Sequence, residues 1–354
     1  MLFKTYCATC VGIDAVTIVV EVDISEGIGL RLVGLPDIAV KESLLRMTTA
    51  ISSYGYRIPG RKIIFNLAPA DIRKEGSGYD LSLAVGLLAV SGQIDAPQAG
   101  EFILMGELAL DGGVRPVSGA LSVAFHAKEE GFKGCIFPAE SAREASDIDG
   151  IEIYGVNRLA EVIEIIEGKS DVSHLLVRKE EHCAQRRMQF SHDLKFVKGQ
   201  AFAKRGLEIA AAGQLNCLFI GPPGSGKSLI SSCLPSILPS MNREESIVTS
   251  KIYSVSGNLK GSGLMTTRPF RSPHHSASLP ALIGGGSSAR PGELSLAHNG
   301  VLFLDEIVQF SRSSLDALRQ PLEDGFITIS RARYKVIYPC STMLVASMNP
   351  SPCG

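Results

Sequence analysis

Strand-like and helix-like patterns of apolar residues alternate along the first 167 residues. The run Val-Thr-Ile-Val-Val-Glu-Val at residues 16–22 is rich in β-branched side chains and predicts a strand. Apolar residues at helical spacing between Val40 and Ser52 predict a helix. Further strands are predicted at 63–67, 102–105 and 134–137, and further helices at 81–90 and 120–130. This alternation predicts an α/β or α+β fold for the front of the chain.

A polar, mixed-charge stretch separates this part from the rest. We interpret residues 169–190 as a solvated linker, with a binding segment as the alternative. Behind it, three apolar runs predict strands, at residues 215–220, 301–304 and 343–348. A length of 354 residues accommodates about two domains. We therefore expect one domain at residues 1–168 and a second at 191–354.

The formal net charge of −1 hides an uneven distribution. Residues 1–190 contain 19 basic and 26 acidic side chains, whereas residues 191–354 contain 16 basic and 10 acidic ones. The chain as a whole is therefore not a uniformly basic nucleic-acid binder. The near-neutral total therefore combines an acidic first part with a basic second part.

Neither a membrane segment nor a disulfide framework is indicated. The eight cysteines are scattered along a chain that is too long to need disulfides for stability. Cys7 and Cys10 have the spacing of half a zinc site, but no second pair lies at a suitable distance. Asp14 interrupts the first apolar run, which a signal peptide would keep apolar. No apolar stretch approaches the length of about 18–20 residues that spans a membrane. We expect a cytoplasmic protein with no membrane partner.

The strongest chemical signal is a glycine-rich phosphate-binding pattern directly after the strand predicted at 215–220. It consists of Gly221, Pro222, Pro223, Gly224, Ser225, Gly226, Lys227 and Ser228. The glycines allow several backbone N–H groups to face one anion. Lys227 is expected to reach the β- and γ-phosphates of ATP, and the Ser228 hydroxyl to coordinate Mg²⁺.

Two later strands supply the polar partners that such a loop needs. The strand at 301–304 ends in Asp305 and Glu306, where the aspartate can hold Mg²⁺ and the glutamate can polarise the attacking water. The strand at 343–348 ends in Asn349, whose amide can orient that water. Without the other two motifs, Asn349 is equally well explained as a turn residue before Pro350. Together, the three segments predict a nucleoside triphosphatase core with parallel strands.

These motifs resemble AAA+ ATPases, and the shorter motifs between them narrow the resemblance. In the second part they resemble the magnesium-chelatase-like branch, at residues 271–275 (Arg-Ser-Pro-His-His), 279–286, 290–294, 297–300 and 318–325. In the front part they resemble the bacterial YifB/ComM group, at residues 32–37, 40–43, 66–71 and 73–77. The long segment 229–300 fits the insert of this branch. The resemblance implies a homohexameric ATPase, and in the ComM branch a DNA helicase that drives branch migration during natural transformation and recombination.

A basic hairpin is the candidate DNA contact. Residues 326–330 and 334–338 predict two strands that flank Arg331 and Arg333. In ATPases of this type, the corresponding hairpin points toward the central pore. We therefore hypothesise that Arg331, Arg333 and Lys335 contact DNA phosphates, with a merely solvated hairpin as the alternative.

The front domain resembles a Lon-type protease domain without its catalytic residues. Residues 105–119 resemble the stretch that precedes the catalytic lysine of that family. Gly78 stands where the nucleophilic serine is expected, and Leu121 where the lysine is expected. Ser77 is one position away and points in another direction, so a Ser–Lys mechanism is not expected. A role in assembly or in engaging the substrate is the preferred interpretation.

The resemblance predicts a Lon-protease-like (S5-type α+β) domain followed by a P-loop AAA+ α/β core without its C-terminal lid. The lid, the arginine supplied to a neighbouring subunit and a second cysteine cluster have no counterpart up to Gly354, and Ser351 replaces one family cysteine. We therefore expect nucleotide binding with poor hydrolysis, which leaves the enzymatic status open. The alternatives to a DNA motor are a truncated nucleotide-binding remnant or assembly subunit and, less favoured, a magnesium-chelatase subunit.

Overall fold

The chain divides into two compact units. A computed structural model describes residues 2–168, 171–178, 192–259, 263–286, 289–330 and 335–350. The first unit comprises Met1–Glu180 and Ser254–Gly263, and the second comprises Glu181–Tyr253 and Leu264–Gly354. Much of the predicted linker at 169–190 lies outside the described residues. Its described part, 171–178, belongs to the first unit.

A mixed seven-stranded sheet forms the centre of the first unit. The strands of this unit are β1 (Leu2–Val11), β2 (Asp14–Ser25), β3 (Gly29–Val33), β4 (Lys62–Ala68), β5 (Phe102–Leu104), β6 (Glu107–Leu108), β7 (Val114–Arg115), β8 (Gly134–Pro138) and β9 (Glu152–Val156). The sheet has the order β3-β4-β2-β1-β5-β8-β9, while β6 and β7 pair separately. Strand β2 runs antiparallel to β1 and β4, and the other neighbours in the sheet are parallel.

The helices of the first unit cover this sheet. They are α1 (Ile38–Ser53), α2 (Asp80–Val90), α3 (Ala120–Glu129), α4 (Ala139–Ala142) and α5 (Leu159–Glu167). Helix α2 is buried almost all round because its residues are small or apolar. Its first residue, Asp80, is fully buried and forms an ion pair with Arg46 of α1 at 2.7 Å. The four strands and three helices that the sequence predicts here are confirmed, with ends shifted by a few residues.

Strand β1 is an element that the sequence pattern does not predict. Its apolar residues are interspersed with Lys4, Thr5 and Thr9, and the pattern is not regular. In the structure, all ten residues pair with β2 across a tight connection at residues 12–13. The backbone pairing with a strong neighbouring strand therefore decides its conformation, and Cys7 and Cys10 both lie on this strand.

The second unit is built on a four-stranded parallel sheet. Its elements are α6 (Ala201–Gly213), β10 (Cys217–Ile220), α7 (Lys227–Ser232), α8 (Arg243–Ser256), β11 (Phe270–Arg271), α9 (Leu279–Ile283), α10 (Glu293–Leu296), β12 (Val301–Leu304), α11 (Arg312–Asp324), β13 (Phe326–Ser330), β14 (Lys335–Pro339) and β15 (Met343–Met348). The last residues of α8, from Ser254 onward, belong to the first unit. Strands β13 and β14 form the predicted antiparallel hairpin.

The strand order β10-β15-β12-β11 brings the three predicted motifs to one edge of the sheet. Strand β15 pairs with β10 on one side and with β12 on the other, and all these pairings are parallel, as predicted. On one face of the sheet, Val301, Phe303 and Val345 pack against apolar residues of α6 and α7. No helix in the described ranges has both the length and the hydropathy to cross a membrane. Because parallel strands end at the same edge, the segments after β10, β12 and β15 lie together.

Candidate functional site

The glycine-rich loop after β10 has the backbone conformation of an anion cradle. Gly224 and Gly226 have φ angles of 78° and 86°, in the left-handed region that side chains disfavour. Between them, the Ser225 Oγ atom is buried and finds no hydrogen-bond partner in the described part of the chain. Buried polar atoms are normally satisfied, so this orphan hydroxyl fits a loop that completes its contacts with a ligand.

Lys227 lies across the loop and reaches the end of β15. Its Nζ atom donates hydrogen bonds to the carbonyl oxygens of Gly221 at 2.7 Å and Pro222 at 3.0 Å. A third bond joins Nζ to the Oδ1 atom of Asn349 at 3.0 Å. The amide and the ammonium group therefore meet at the same edge of the sheet.

Ser228 and Asp305 form the second contact between motifs. The Ser228 Oγ atom donates to Asp305 Oδ2 at 2.7 Å. Burial alone would raise the pKa of Asp305, but hydrogen bonds from Ser347, from Ser228 and from the N–H of Glu306 outweigh it and lower the pKa. The carboxylate is therefore ionised at neutral pH and lies beside a hydroxyl oxygen. This pair of oxygen donors is suited to Mg²⁺.

Glu306 follows in a left-handed backbone conformation, with φ 50° and ψ 53°. A residue other than glycine adopts this conformation at a cost of about 1 kcal/mol or more. The backbone N–H of Glu306 donates to Asp305 Oδ1 at 3.1 Å and lies 3.2 Å from Ser347 Oγ. Its carboxylate is partly exposed and has no hydrogen-bond partner among the described residues. It is therefore available to a water molecule.

Two residues around the loop were missed by the sequence patterns. Gln200, just before α6, donates from Nε2 to the Ser225 carbonyl at 3.3 Å. Ser347 is fully buried and hydrogen-bonds to Asp305. A signal for Ser347 exists, because it continues the buried alternation of Met343 and Val345 with a polar side chain.

The predicted DNA contacts are only partly visible. Arg331 and Arg333 lie outside the described residues. Lys335 is exposed at the start of β14 and pairs in register with Ser330. The hydrogen bonds of Lys227 and Ser228 do not include this lysine.

In the first unit, the turn that resembles a protease active site contains Ser77, whose hydroxyl contacts a carboxylate. The Ser77 Oγ atom donates to a carboxylate oxygen of Glu107, whose other oxygen lies 3.3 Å from Arg115 Nη1. Leu121 is fully buried. Within the described residues, therefore, the hydroxyl of Ser77 is engaged by a carboxylate and not by a lysine amine.

Lys74 and Cys7 are also buried in the first unit. The Lys74 ammonium group donates to the Pro69 carbonyl oxygen, and burial lowers the pKa of this lysine. Burial raises the pKa of the Cys7 thiol to about 12, so it is protonated at neutral pH. Both groups are enclosed by the protein, which favours structural roles for them.

Comparison with known proteins gives matches to both units. The family model "Magnesium chelatase, subunit ChlI" matches residues 193–354, and "Subunit ChlI of Mg-chelatase" matches residues 20–141. A weaker similarity links 127 residues to Lon protease 2 of Bacillus subtilis, at 29% identity over 36% of this chain and 22% of that protein.

Two long relatives match nearly the whole chain. The uncharacterized protein YifB of Escherichia coli is 48% identical over 97% of this chain and 67% of its own length. The competence protein ComM of Haemophilus influenzae is 43% identical over 99% of this chain and 69% of its own length. The chain thus spans about two thirds of these relatives. With the phosphate loop and its acidic partners in place, these matches show that the chain belongs to the YifB/ComM family of magnesium-chelatase-like proteins.

Proposed function

We propose that this chain is an AAA+-type ATPase that binds ATP with Mg²⁺ at the loop 221–228 and uses hydrolysis to act on DNA. The observation that carries the nucleotide part is the contact of Ser228 with Asp305, at 2.7 Å, at the carboxyl edge of a parallel sheet. The contact of Lys227 with Asn349 at 3.0 Å joins the third motif to the same place. The cytoplasm holds both ATP and DNA, so we place the protein there.

The residues present fit ATP and Mg²⁺. Mg²⁺ bound at this site would supply positive charge that offsets the charge developing on the phosphate groups. Ser228 and Asp305 would hold the metal. Lys227 would exchange its bonds to the Gly221 and Pro222 carbonyls for bonds to phosphate oxygens. Such an exchange leaves the lysine ammonium group hydrogen-bonded in both states.

The remaining groups would act on water. Glu306 has a free carboxylate beside Asp305 and would accept the proton of the attacking water. Asn349 would hold that water in position through its side-chain amide. Both groups lie on the segments that follow neighbouring strands, β12 and β15, so a small change in either strand would alter their alignment.

The nucleotide part is tested by Lys227→Ala in the full chain. We expect loss of ATP binding, measured with a fluorescent ATP analogue, and loss of any phosphate release. Lys251→Ala, which changes a lysine on α8, serves as the matched control. Equal ATP binding by both variants would refute the nucleotide site. Binding without hydrolysis in the unaltered chain would favour the alternative of a nucleotide-binding assembly subunit.

The DNA part rests on the basic excess after residue 190 and on the similarity to a competence protein. We propose that Arg331, Arg333 and Lys335 contact DNA phosphates and that six copies of the chain assemble around the DNA. Replacing all three residues by Ala should make DNA affinity less dependent on salt, by about one unit of log–log slope for each side chain that binds a phosphate. An unchanged slope would remove the hairpin from the DNA interface.

A chelatase subunit is the second candidate, because both family models carry that name. The YifB and ComM relatives, however, match the first unit and the second in one continuous alignment. ATP hydrolysis stimulated by DNA would support the DNA motor. Stimulation by a metal-free porphyrin, with none by DNA, would support the chelatase.

A further inference from the structure

Ser347 occupies a core position where the strand pattern calls for an apolar residue. Met343, Val345 and Ser347 alternate along β15, and the first two belong to the apolar core of the second unit. Ser347 is itself fully buried. A buried hydroxyl destabilises a core unless hydrogen bonds satisfy it, so its partners indicate what it does there.

Both hydrogen-bonding capacities of this hydroxyl are used at the acidic pair. The Ser347 Oγ atom donates to Asp305 Oδ1 and accepts from the backbone N–H of Glu306 at 3.2 Å. The pairing of the strands explains the contact. Leu304 stands opposite Ala346, so the next residues, Asp305 and Ser347, face each other at the end of two parallel strands.

The two carboxylate oxygens of Asp305 have different hydrogen-bond partners. Oδ1 is held by Ser347 and by the N–H of Glu306 at 3.1 Å, while Oδ2 accepts from Ser228 at 2.7 Å. Ser347 and the N–H of Glu306 thus contact the Asp305 oxygen that Ser228 does not contact. The same hydroxyl accepts a hydrogen bond from the N–H of Glu306, whose backbone is in the left-handed conformation.

We propose that Ser347 is a positioning residue that orients Asp305 toward the metal and fixes the direction of Glu306. Ser347 also links these residues to β15, and Asn349 follows this strand, two residues after Ser347. The inference rests on the proposed ATPase function. Groups that orient metal ligands typically contribute about 10–100-fold to metal affinity or activity.

The test compares Ser347→Ala with Ser250→Ala in the full chain. Ser250 is a matched control because it is fully buried in the second unit, donates to the Ser246 carbonyl at 2.6 Å and accepts from the N–H of Met265 at 2.8 Å. Binding of a fluorescent ATP analogue is titrated with Mg²⁺. For Ser347→Ala we expect unchanged affinity without Mg²⁺, and a rise of about 10-fold or more in the Mg²⁺ concentration for half-maximal binding.

A second pair of variants separates the hydroxyl from the packing. Ser347→Thr keeps the hydroxyl, and Ser347→Val carries a second methyl group in its place, so the two variants have similar branched side chains but differ in hydrogen bonding. The Thr variant should have the half-maximal Mg²⁺ concentration and the kcat of the unaltered chain. The Val variant should require more Mg²⁺ and have a lower kcat. Equal behaviour of Thr and Val would overturn the proposal, even if Ser347→Ala does not fold.

A nucleotide-free measurement completes the design. Hydrogen exchange of the Glu306 amide should accelerate in Ser347→Ala and Ser347→Val but not in Ser347→Thr or Ser250→Ala. If the unaltered chain shows no Mg²⁺-dependent nucleotide binding, the proposed function fails. If it binds but the Mg²⁺ titrations and the amide exchange of Ser347→Ala match those of Ser250→Ala, only the role of Ser347 fails.

Discussion

At the scale of single residues, the candidate site consists of side chains that are hydrogen-bonded in pairs. Lys227 contacts Asn349, Ser228 contacts Asp305, and Asp305 contacts Ser347. Glu306 differs from these residues because its carboxylate has no hydrogen-bond partner among the described residues. A free carboxylate beside a held one is the arrangement expected of a general base next to a metal ligand.

Glu306→Gln should separate chemistry from binding. The amide keeps the shape of the side chain but cannot accept a proton from water, so ATP hydrolysis should fall by about 10²–10⁴-fold. Binding of the fluorescent ATP analogue should remain within about 2-fold. Glu323→Gln on α11 makes the same change at an exposed carboxylate and should hydrolyse ATP normally. Similar hydrolysis rates in the two variants would exclude Glu306 as the base.

Glu144 should make the first unit less stable as the pH rises. Burial, together with repulsion from Glu140, raises its pKa from 4.5 to about 7. The folded state therefore binds this proton more tightly than the unfolded state. The resulting contribution, at most about 3 kcal/mol, is complete below pH 4.5 and is lost as the pH rises through 7.

Urea unfolding at pH 5 and pH 8, followed by hydrogen exchange in peptides of the first unit, measures this effect. Glu144→Gln should flatten the pH dependence, while Glu129→Gln, at an exposed position of α3, should leave it in place. If the two variants show the same pH dependence, the carboxyl group of Glu144 titrates normally.

At the scale of elements, apolar pattern predicts most strands correctly, and local pairing decides the rest. The runs at 301–304 and 343–348 are buried strands whose bounds match β12 and β15. The strand predicted at 215–220 begins later, at Cys217, because the N–H of Leu215 bonds back to Ala210 behind helix α6. Leu215 is apolar, but this hydrogen bond belongs to a helix end and not to a strand.

Asp37 caps the N-terminus of α1, and the contribution of this cap to stability can be measured. Asp37 Oδ1 accepts from the N–H of Val40 at 2.8 Å, and Oδ2 accepts from the N–H of Gly76 at 3.2 Å. Asp37→Ala should lower the free energy of unfolding of the first unit by about 1–2 kcal/mol, because the first turn loses its cap. Asp37→Asn keeps an acceptor and should lose less than half as much. A loss below about 0.5 kcal/mol for Ala in urea unfolding would show that water replaces the cap.

At the scale of the whole molecule, the second unit leaves several large apolar side chains exposed. Phe202 on α6 is 94% exposed, and Ile220 at the end of β10 is 62% exposed. Such side chains lose their unfavourable contact with water when another protein surface covers them. These residues agree with the proposal that several copies of the chain assemble.

Native mass spectrometry checks this proposal directly. With ATP and Mg²⁺, the full chain should give a species six times the monomer mass of 37.7 kDa. Phe202→Ser and Ile220→Thr should shift the population toward smaller species, whereas Leu110→Thr, an exposed apolar change in the first unit, should not. A monomer under all conditions would contradict the hexamer.

The chemical groups of the candidate site can be identified from the sequence alone. A phosphate loop, an acidic pair and an asparagine each follow an apolar run, and local pattern is enough to identify them because each motif is contiguous. The sequence also determined the family, since its motifs extend over both parts of the chain. Gly78 and Leu121, which stand where the Lon-type family has its serine and lysine, argue from the sequence against a Ser–Lys mechanism in the front unit.

The way in which these motifs meet depends on the folded structure. The insertion of β15 between β10 and β12 is a long-range pairing, and nothing in the local pattern specifies it. That pairing places Ser347 opposite Asp305 and Asn349 beside Lys227, across 42 and 122 residues of chain. The sequence marks Ser347 only as a polar residue in an apolar run and does not identify its partners, because Asp305 and Glu306 follow a different strand. Hydrogen bonds between distant segments depend on the register of the sheet, and that register exists only in the folded chain.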